Sequence, residues 1–333
     1  MKPRIIYGPL LSRRLGRSLG IDVIKRTHSK KNCNFDCIYC QLGHVDQKLT
    51  GPEDVTGAVT PEEVVEGLRN YHRNVEDLDY ITFSGTCEPT LNLALGDMIR
   101  GIKGIKGISD VPVCVITNSS LMGRKDVRDN LVDADIVVAT LVSGNEETFR
   151  MINRPAEGTT LSGIIEGLRE LASMDGPRLA IEVMFLGNSD SDNTDYFTNT
   201  TDEEIDRLVE VLGYIDPDEI EVLTISRPPA EDFVTPTRER RLKEIARHFD
   251  DEFGQGRVRL VLKGLRRERS RVKHGDPIDE VYDLILRRPC TFGQVVASLD
   301  IDPQDLHPIV DMLLAQQRIT QVDSYDSSYY RAM

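Results

Sequence analysis

The chain has 333 residues, 39% hydrophobic and 29% charged, which supplies material for a sizeable core and excludes a disordered or fibrous protein. Its 41 Lys and Arg stand against 55 Asp and Glu, a net charge of −14 that argues against wholesale coating of nucleic acid or an anionic membrane but leaves local patches open. Six Cys are too few for a disulfide scaffold at this length, and no apolar run approaches the roughly 20 residues of a membrane helix, so a soluble cytoplasmic protein is expected.

At the amino terminus, MKPRIIYGPLLSRRLGRS contains an SRR pair, but GIDVIKRTH follows where a secretory signal requires an apolar core, so export is not expected. Strands are then predicted at 19–24 (LGIDVI), 80–85 (YITFSG), 111–118 (VPVCVITN), 135–142 (DIVVATLV), 178–186 (RLAIEVMFL), 219–226 (EIEVLTIS) and 257–264 (RVRLVLKG). Most are continuous apolar runs, the pattern of strands covered on both faces. Amphipathic helices alternate with them at 60–72, 160–174, 201–215 and 235–249, and Thr60 and Thr201 are proper N-caps. The alternation predicts an α/β fold, a partial (β/α)6 barrel of TIM type over residues 1–264, with a doubly wound open sheet as the competing arrangement. Residues 187–204, rich in Asp, Asn, Ser and Thr, form a surface loop and a lid over the barrel mouth. A basic linker follows at 265–275. Residues 276–333 give three helices and a hairpin, the order of a small winged-helix domain.

The chemistry is concentrated directly after the first strand. KNCNFDCIYCQLG sets Cys33, Cys37 and Cys40 in a C-x3-C-x2-C array, three soft thiolates that converge on one metal centre and leave a coordination position open. A closed zinc site completed by His44 is the alternative.

This array resembles the cluster loop of the radical S-adenosylmethionine superfamily, and residues 8–264 resemble uncharacterised relatives of the archaeal wyosine-base synthases within it. The resemblance implies a [4Fe–4S] cluster on the three cysteines and S-adenosylmethionine as cofactors, with a reductase or ferredoxin-type protein as electron donor. It places Tyr39 beside the adenine, and Gly85 and Glu88 of FSGTCEPTL at the methionyl amino group. Thr117 and Asn118 of ITNSS fall at the ribose or carboxylate, and Met184 with Ile225 or Ser226 flank the adenine. ATLVSGNEETFRMINRP (139–155) resembles the fourth-strand segment of the group, with Val142 where an Asp is expected. No Cys precedes Cys33, so the second cluster of the wyosine-base synthases has no ligands here.

Cys87 replaces the small residue usual in its turn. It is a catalytic candidate as hydrogen-atom donor or transient covalent partner, or else a small buried hydrophobe, whereas Cys114 and Cys290 are structural. Two basic stretches, 2–31 and 257–273, suggest a positive rim facing phosphates. The function expected is a radical enzyme modifying a macromolecule, RNA and in particular tRNA ahead of a protein side chain. A non-catalytic iron–sulfur sensor acting through its winged helix is the alternative from another class. The helices at 291–317 carry no Lys and only Arg318 at their edge, which disfavours duplex reading by them.

Overall fold

A hairpin that the sequence did not announce begins the fold: β1 (Ile6–Ser12) runs antiparallel to β2 (Gly16–Ile21). Gly8 and Pro9 interrupt the apolar run of β1, which hides it from a reading by periodicity. The architecture comes from a computed structural model that describes residues 4–26, 31–71, 77–189, 198–262, 276–325 and 327–333. After the hairpin, β3 (Tyr80–Phe83), β4 (Val113–Thr117), β5 (Ile136–Thr140), β6 (Arg178–Asn188) and β7 (Glu219–Thr224) each lie parallel beside the strand before them. The short β8 (Val234–Pro236) pairs antiparallel with β6, and β9 (Val258–Leu260) adds in parallel to β7. A doubly wound sheet reverses its order at a switch point. This one does not, so the mostly parallel sheet is that of a partial barrel.

The intervening helices are α1 (Pro61–Arg69), α2 (Leu95–Lys103), α3 (Lys125–Asp129), α4 (Glu146–Asn153), α5 (Leu161–Ala172), α6 (Asp202–Ile215) and α7 (Glu239–Phe253). Thr60 and Thr201 cap α1 and α6 as expected, the former in a full capping box with Glu63. Alternate strand residues face these helices. Ile81, Phe83, Val137, Leu179, Val183 and Ile220 are fully buried in the main core with Met98, Leu168, Leu208 and Phe249.

The strands are covered on both faces as expected, and the inward face carries polar groups as well as apolar ones. Ser18 and Thr82 share a 2.6 Å hydrogen bond there, and Arg14, from the β1–β2 turn, pairs with Glu182 and, at 3.3 Å, with Glu221. Leu15 of the same turn packs with Cys114, Ile136, Val138 and Ala180. The turn thus plugs the lumen from the amino ends of the strands. Arg259 fixes it by donating to the carbonyls of Arg13 and Arg14, the latter at 2.9 Å.

The carboxyl-terminal segment forms α8 (Pro277–Arg287), α9 (Phe292–Leu299), α10 (Pro303–Ala315) and an antiparallel pair, β10 (Ile319–Ser324) and β11 (Ser327–Ala332), around its own core. The predicted linker at 265–275 lies outside the described residues, as does the central part of the predicted lid, 190–197. Leu10 of β1 packs into the carboxyl-terminal core. Arg287 makes the deepest junction: 3% exposed, it lies 4.1 Å over the Tyr7 ring, 3.5 Å from Asp22 and 3.4 Å from Asp283, and it donates to the Arg4 carbonyl. Arg287→Ala would leave two buried carboxylates short of their cation. The substitution should lower unfolding free energy by about 3 kcal/mol, measured by denaturant titration, and a loss under about 1 kcal/mol would contradict this account of the junction.

Candidate active site

The cysteine loop has no regular secondary structure, so its backbone groups must find partners elsewhere. Asn32 N–H donates to Thr86 O, and Glu88 N–H donates to Asn32 O, both at 2.9 Å. On the other side, Ile38 N–H donates to Ile152 O at 3.0 Å and Ala156 N–H donates to Asn34 O at 2.8 Å. The loop is held between the turn after β3 and the end of α4.

Side-chain amides reach the sulfurs from these flanks. Asn118 Nδ2 approaches Cys33 Sγ at 3.4 Å and Asn153 Nδ2 approaches Cys37 Sγ at 3.3 Å. Burial pushes the Cys33 thiol up to about 12, with the neighbouring Cys37 adding to it, and pushes Cys37 up to about 11, with Cys40 adding to it. Lys31, 3% exposed, is pulled down by burial, but the facing Cys40, Cys33 and Cys37 leave its ammonium above the usual lysine range. A buried cation therefore faces the three sulfurs.

The donor set fits an iron–sulfur cluster better than the zinc alternative. His44, which would complete a zinc site, directs Nδ1 to Asp36 at 3.1 Å and places Nε2 3.9 Å from Glu231. Among the described residues, no three or more His, Cys, Asp or Glu gather as a single-ion site. All three cysteines line one cavity, and thiols that share such a space suit a cluster with separated iron corners.

Every site residue predicted from sequence lines one cavity of about 430 Å³: Cys33, Cys37, Cys40, Tyr39, Gly85, Cys87, Glu88, Thr117, Asn118, Met184 and Ser226. Glu88 is 4% exposed, and burial raises its carboxyl despite four donors: Thr90 N–H, Thr90 Oγ1 and Thr117 Oγ1 reach Oε1, and Asn118 N–H reaches Oε2 at 2.7 Å. It thus ties the β3 turn to the end of β4. Gly85 adopts φ +140°, and a Cβ there would lie 2.6 Å from Asp22 Cγ. The backbone passes directly over that buried carboxylate. Asp22 in turn accepts from Thr86 N–H and Thr86 Oγ1 at 3.0 and 2.8 Å, and from Cys87 Sγ at 3.2 Å.

Burial and the adjacent Asp22 carboxylate raise Cys87 well above the usual thiol range, so it is held as S–H. That state suits a hydrogen-atom donor and opposes thiolate attack. Ser226 accepts from Arg13 at 2.7 Å through its hydroxyl and from Tyr329 through its carbonyl. The position expected to hold Asp, Val142, is buried in a small apolar cluster with Ile38 and Ile225.

Sequence reasoning missed Asp22, Asn153, Arg227, Arg287 and Arg288. A signal for the last two was present, since RRP ends an apolar helix within an otherwise acidic carboxyl-terminal segment. The expected basic rim is largely neutralised among the described residues: Lys25 pairs with Glu63, Arg257 with Asp216, and Arg259 with Glu219 and Glu221. Cations are instead concentrated inside. Arg13, Arg14, Lys31, Arg227, Arg287 and Arg288 line the cavity, with Glu88 and Glu182 as its only lining carboxylates among the described residues.

A mostly parallel partial barrel with a loop of three thiols against its cavity is the arrangement that suits a cluster-dependent barrel protein. Residues 29–212 match the Radical SAM superfamily, and the chain belongs to that superfamily of enzymes, which use a [4Fe–4S] cluster and S-adenosylmethionine and require an electron donor. It is 33% identical to a UPF0026 protein of Methanocaldococcus jannaschii over 78% of this chain and 75% of that one. It is also 27% identical over 96% of its length to a protein of Brachyspira hyodysenteriae named GTPase Obg, and spans 44% of that longer protein. A radical SAM methyltransferase from Sphaerobacter thermophilus shares the fold, with TM-score 0.53 at 15% identity, over 73% of this chain and 66% of that one. No helix among the described residues is long and apolar enough to cross a membrane.

The Gly85 geometry is separable from ordinary glycine effects. Gly85→Ala should cost about 2 kcal/mol or more, because a strained φ is added to a clash with Asp22. Gly107→Ala, also at positive φ (+85°) but with nothing within 4 Å of the new Cβ, should cost distinctly less. Equal losses in urea titrations would remove the case for a close approach at Gly85.

Proposed function

We propose that Cys33, Cys37 and Cys40 hold the [4Fe–4S] cluster and that the chain cleaves S-adenosylmethionine reductively to abstract a hydrogen atom from a nucleotide of RNA, with tRNA the first substrate to test. The observation that carries this reading is the meeting of the three thiols with Gly85, Glu88, Asn118 and Ser226 around one cavity. The cluster, when bound, supplies the single electron that breaks the sulfonium carbon–sulfur bond.

The protein's own residues orient and shield. Tyr39, Met184 and Ser226 are assigned to the adenosyl side. The turn at Gly85, closed on one side by Asp22, is assigned to the methionyl group, and the Glu88 carboxylate, fixed by Thr90, Thr117 and Asn118, to its ammonium. Cys87, held protonated, is assigned as hydrogen-atom donor to a product radical: its S–H bond breaks as a C–H bond forms, and the thiyl radical left on sulfur takes one electron from the electron donor and a proton to restore the thiol. Asn118 and Asn153 donate to the cysteine sulfurs and Lys31 sits among them, which favours the electron-rich state of the centre. The electron donor is a ferredoxin-type protein or reductase.

RNA is favoured because cations outnumber carboxylates on the cavity wall of a chain whose net charge is −14. We read residues 276–333 as a winged-helix module that caps its own barrel. Arg287 and Arg288 line the cavity, Arg331 donates to the carbonyls of Pro228 and Pro229, and Arg318 stacks on Tyr282. Arg287, Arg318 and Arg331 are thereby committed to internal contacts and Arg288 faces the cavity, which disfavours duplex reading by this module.

Two measurements test the reading. Protein reconstituted without oxygen and treated with dithionite should release 5′-deoxyadenosine from S-adenosylmethionine, and Cys37→Ala should reduce the release to background. Continued release from that variant would disprove the ligand assignment. Because both shifted thiols are protonated near neutrality, each iron–sulfur bond formed there expels a proton, so cluster loading should improve from pH 7 to pH 9. Loading that is flat or falling with pH, followed by the visible charge-transfer absorption, would contradict burial of neutral thiols.

A further inference from the structure

Of the six cations on the cavity wall, three are matched by carboxylates. Arg14 pairs with Glu182 and Glu221, Arg287 with Asp22 and Asp283, and Lys31 lies 3.8 Å from Asp36. The other three, Arg13, Arg227 and Arg288, form no ion pair among the described residues. Arg13 donates to Ser226 Oγ at 2.7 Å. Arg227 donates to the Pro289 carbonyl at 3.1 Å and to Gln41 Oε1 at 3.4 Å. Arg288 donates to the Leu11 carbonyl and to Ser298 Oγ, and its Nε is buried with no hydrogen-bond partner.

These partners are neutral, so they orient the three guanidinium groups without cancelling their charge. The groups also act on one another: burial and then Arg288 and Arg13 lower Arg227 to about 10, and burial and then Arg14 lower Arg13, with Arg288 contributing. Gathering like charges in a cavity is unfavourable unless an anion joins them.

We propose that Arg13, Arg227 and Arg288 form an oxyanion site that holds a phosphate group of the substrate beside the cluster loop. The substrate class named here, a phosphate-bearing nucleotide, rests on the functional reading above. Arginine suits the role because its planar fork presents paired donors that match phosphate oxygens. Gln41, next to Cys40, binds Arg227 and sets the anion close to the reactive centre. The three arginines come from the β1–β2 turn, the segment after β7, and the end of α8, so the site is incomplete without the carboxyl-terminal module. That gives the module a task in substrate recognition on its barrel-facing side.

The test uses full-length, cluster-loaded protein saturated with S-adenosylmethionine, titrated calorimetrically with inorganic pyrophosphate. The native protein should bind it. Arg227→Gln and Arg288→Gln should each weaken binding by about tenfold or more, the loss of one charged hydrogen-bond donor group. Arg288→Lys keeps the charge without the fork and should weaken binding less than Arg288→Gln, so an effect from misfolding alone is recognisable, with a thermal melt of each variant alongside. Affinity for S-adenosylmethionine should shift far less than affinity for pyrophosphate. Absence of pyrophosphate binding to the native protein overturns the proposal, as does an equal loss of cofactor affinity, which would assign the arginines to the cofactor's carboxylate. Competition of pyrophosphate by tRNA supports both the site and the RNA reading. Pyrophosphate binding that tRNA and a 5′-phosphorylated oligoribonucleotide fail to compete would sustain the site and overturn the RNA reading, leaving a small phosphorylated substrate.

Discussion

The rest of the structure depends on how an irregular loop is kept still. A loop of eight residues from Cys33 to Cys40 cannot satisfy its own backbone groups, and three thiols on a moving chain would not share one centre. The barrel supplies the missing partners from two sides, the β3 turn at residues 86–88 and the segment 152–156, which spans the end of α4. Those two segments are in turn fixed by groups whose roles appear elsewhere in the site. Glu88 fastens the β3 turn to Thr117 and Asn118, Asp22 fastens Thr86 and Cys87, and Asn153 both ends α4 and reaches Cys37 Sγ. The positioning network and the site are thus built from the same side chains.

The division of each strand into two faces explains why the barrel can hold such a site. Outward residues are Val, Ile, Leu and Phe, packed under the helices and fully buried, and they carry the hydrophobic stabilisation. Inward residues are mixed, with Ser18, Thr82, Cys114, Ala180 and Glu182 beside the apolar Ile136 and Val138, and the β1–β2 turn fills the lower lumen with Leu15 and Arg14. The upper lumen is left open as the cavity. A core filled from both directions would have been more stable by area alone and would have had no room for a cofactor.

Much of this was legible in the sequence, for identifiable reasons. Cys33, Cys37 and Cys40 are close in sequence, and thiol spacing carries its chemistry without tertiary information. The strands were legible because their outward residues are apolar enough to dominate the run, and that same dominance concealed the polarity of Glu182 and Glu221 within β6 and β7. The hairpin strand β1 was hidden by Gly8 and Pro9. The arginines were visible as residues but not as a group: Arg13 lies more than two hundred positions before Arg227 and Arg288, and the three meet only because α8 returns to the barrel mouth. Asp22 was read as part of a strand, yet it lies just past the end of β2, where a carboxylate is free to organise the next turn.

Net charge and cavity charge point in opposite directions, and the distinction determines how recognition works. A surface carrying most of the −14 repels a polyanion at distances where the charges are not yet screened, so the chain gains no broad electrostatic steering toward RNA. Attraction begins only where low-dielectric walls surround the cations, and there each unneutralised guanidinium counts for more than a surface lysine. On the proposed phosphate site, selectivity follows from the contrast, since a phosphate that reaches the cavity meets uncancelled cations while one at the exterior meets net negative charge. Ion pairs such as Lys25 with Glu63 and Arg257 with Asp216 sharpen it by cancelling exterior cations. The paired arginines, 14 and 287, serve architecture, plugging the lumen and fastening the cap. Carboxylate pairing therefore separates the arginines that build the chamber from those whose charge is left uncancelled within it.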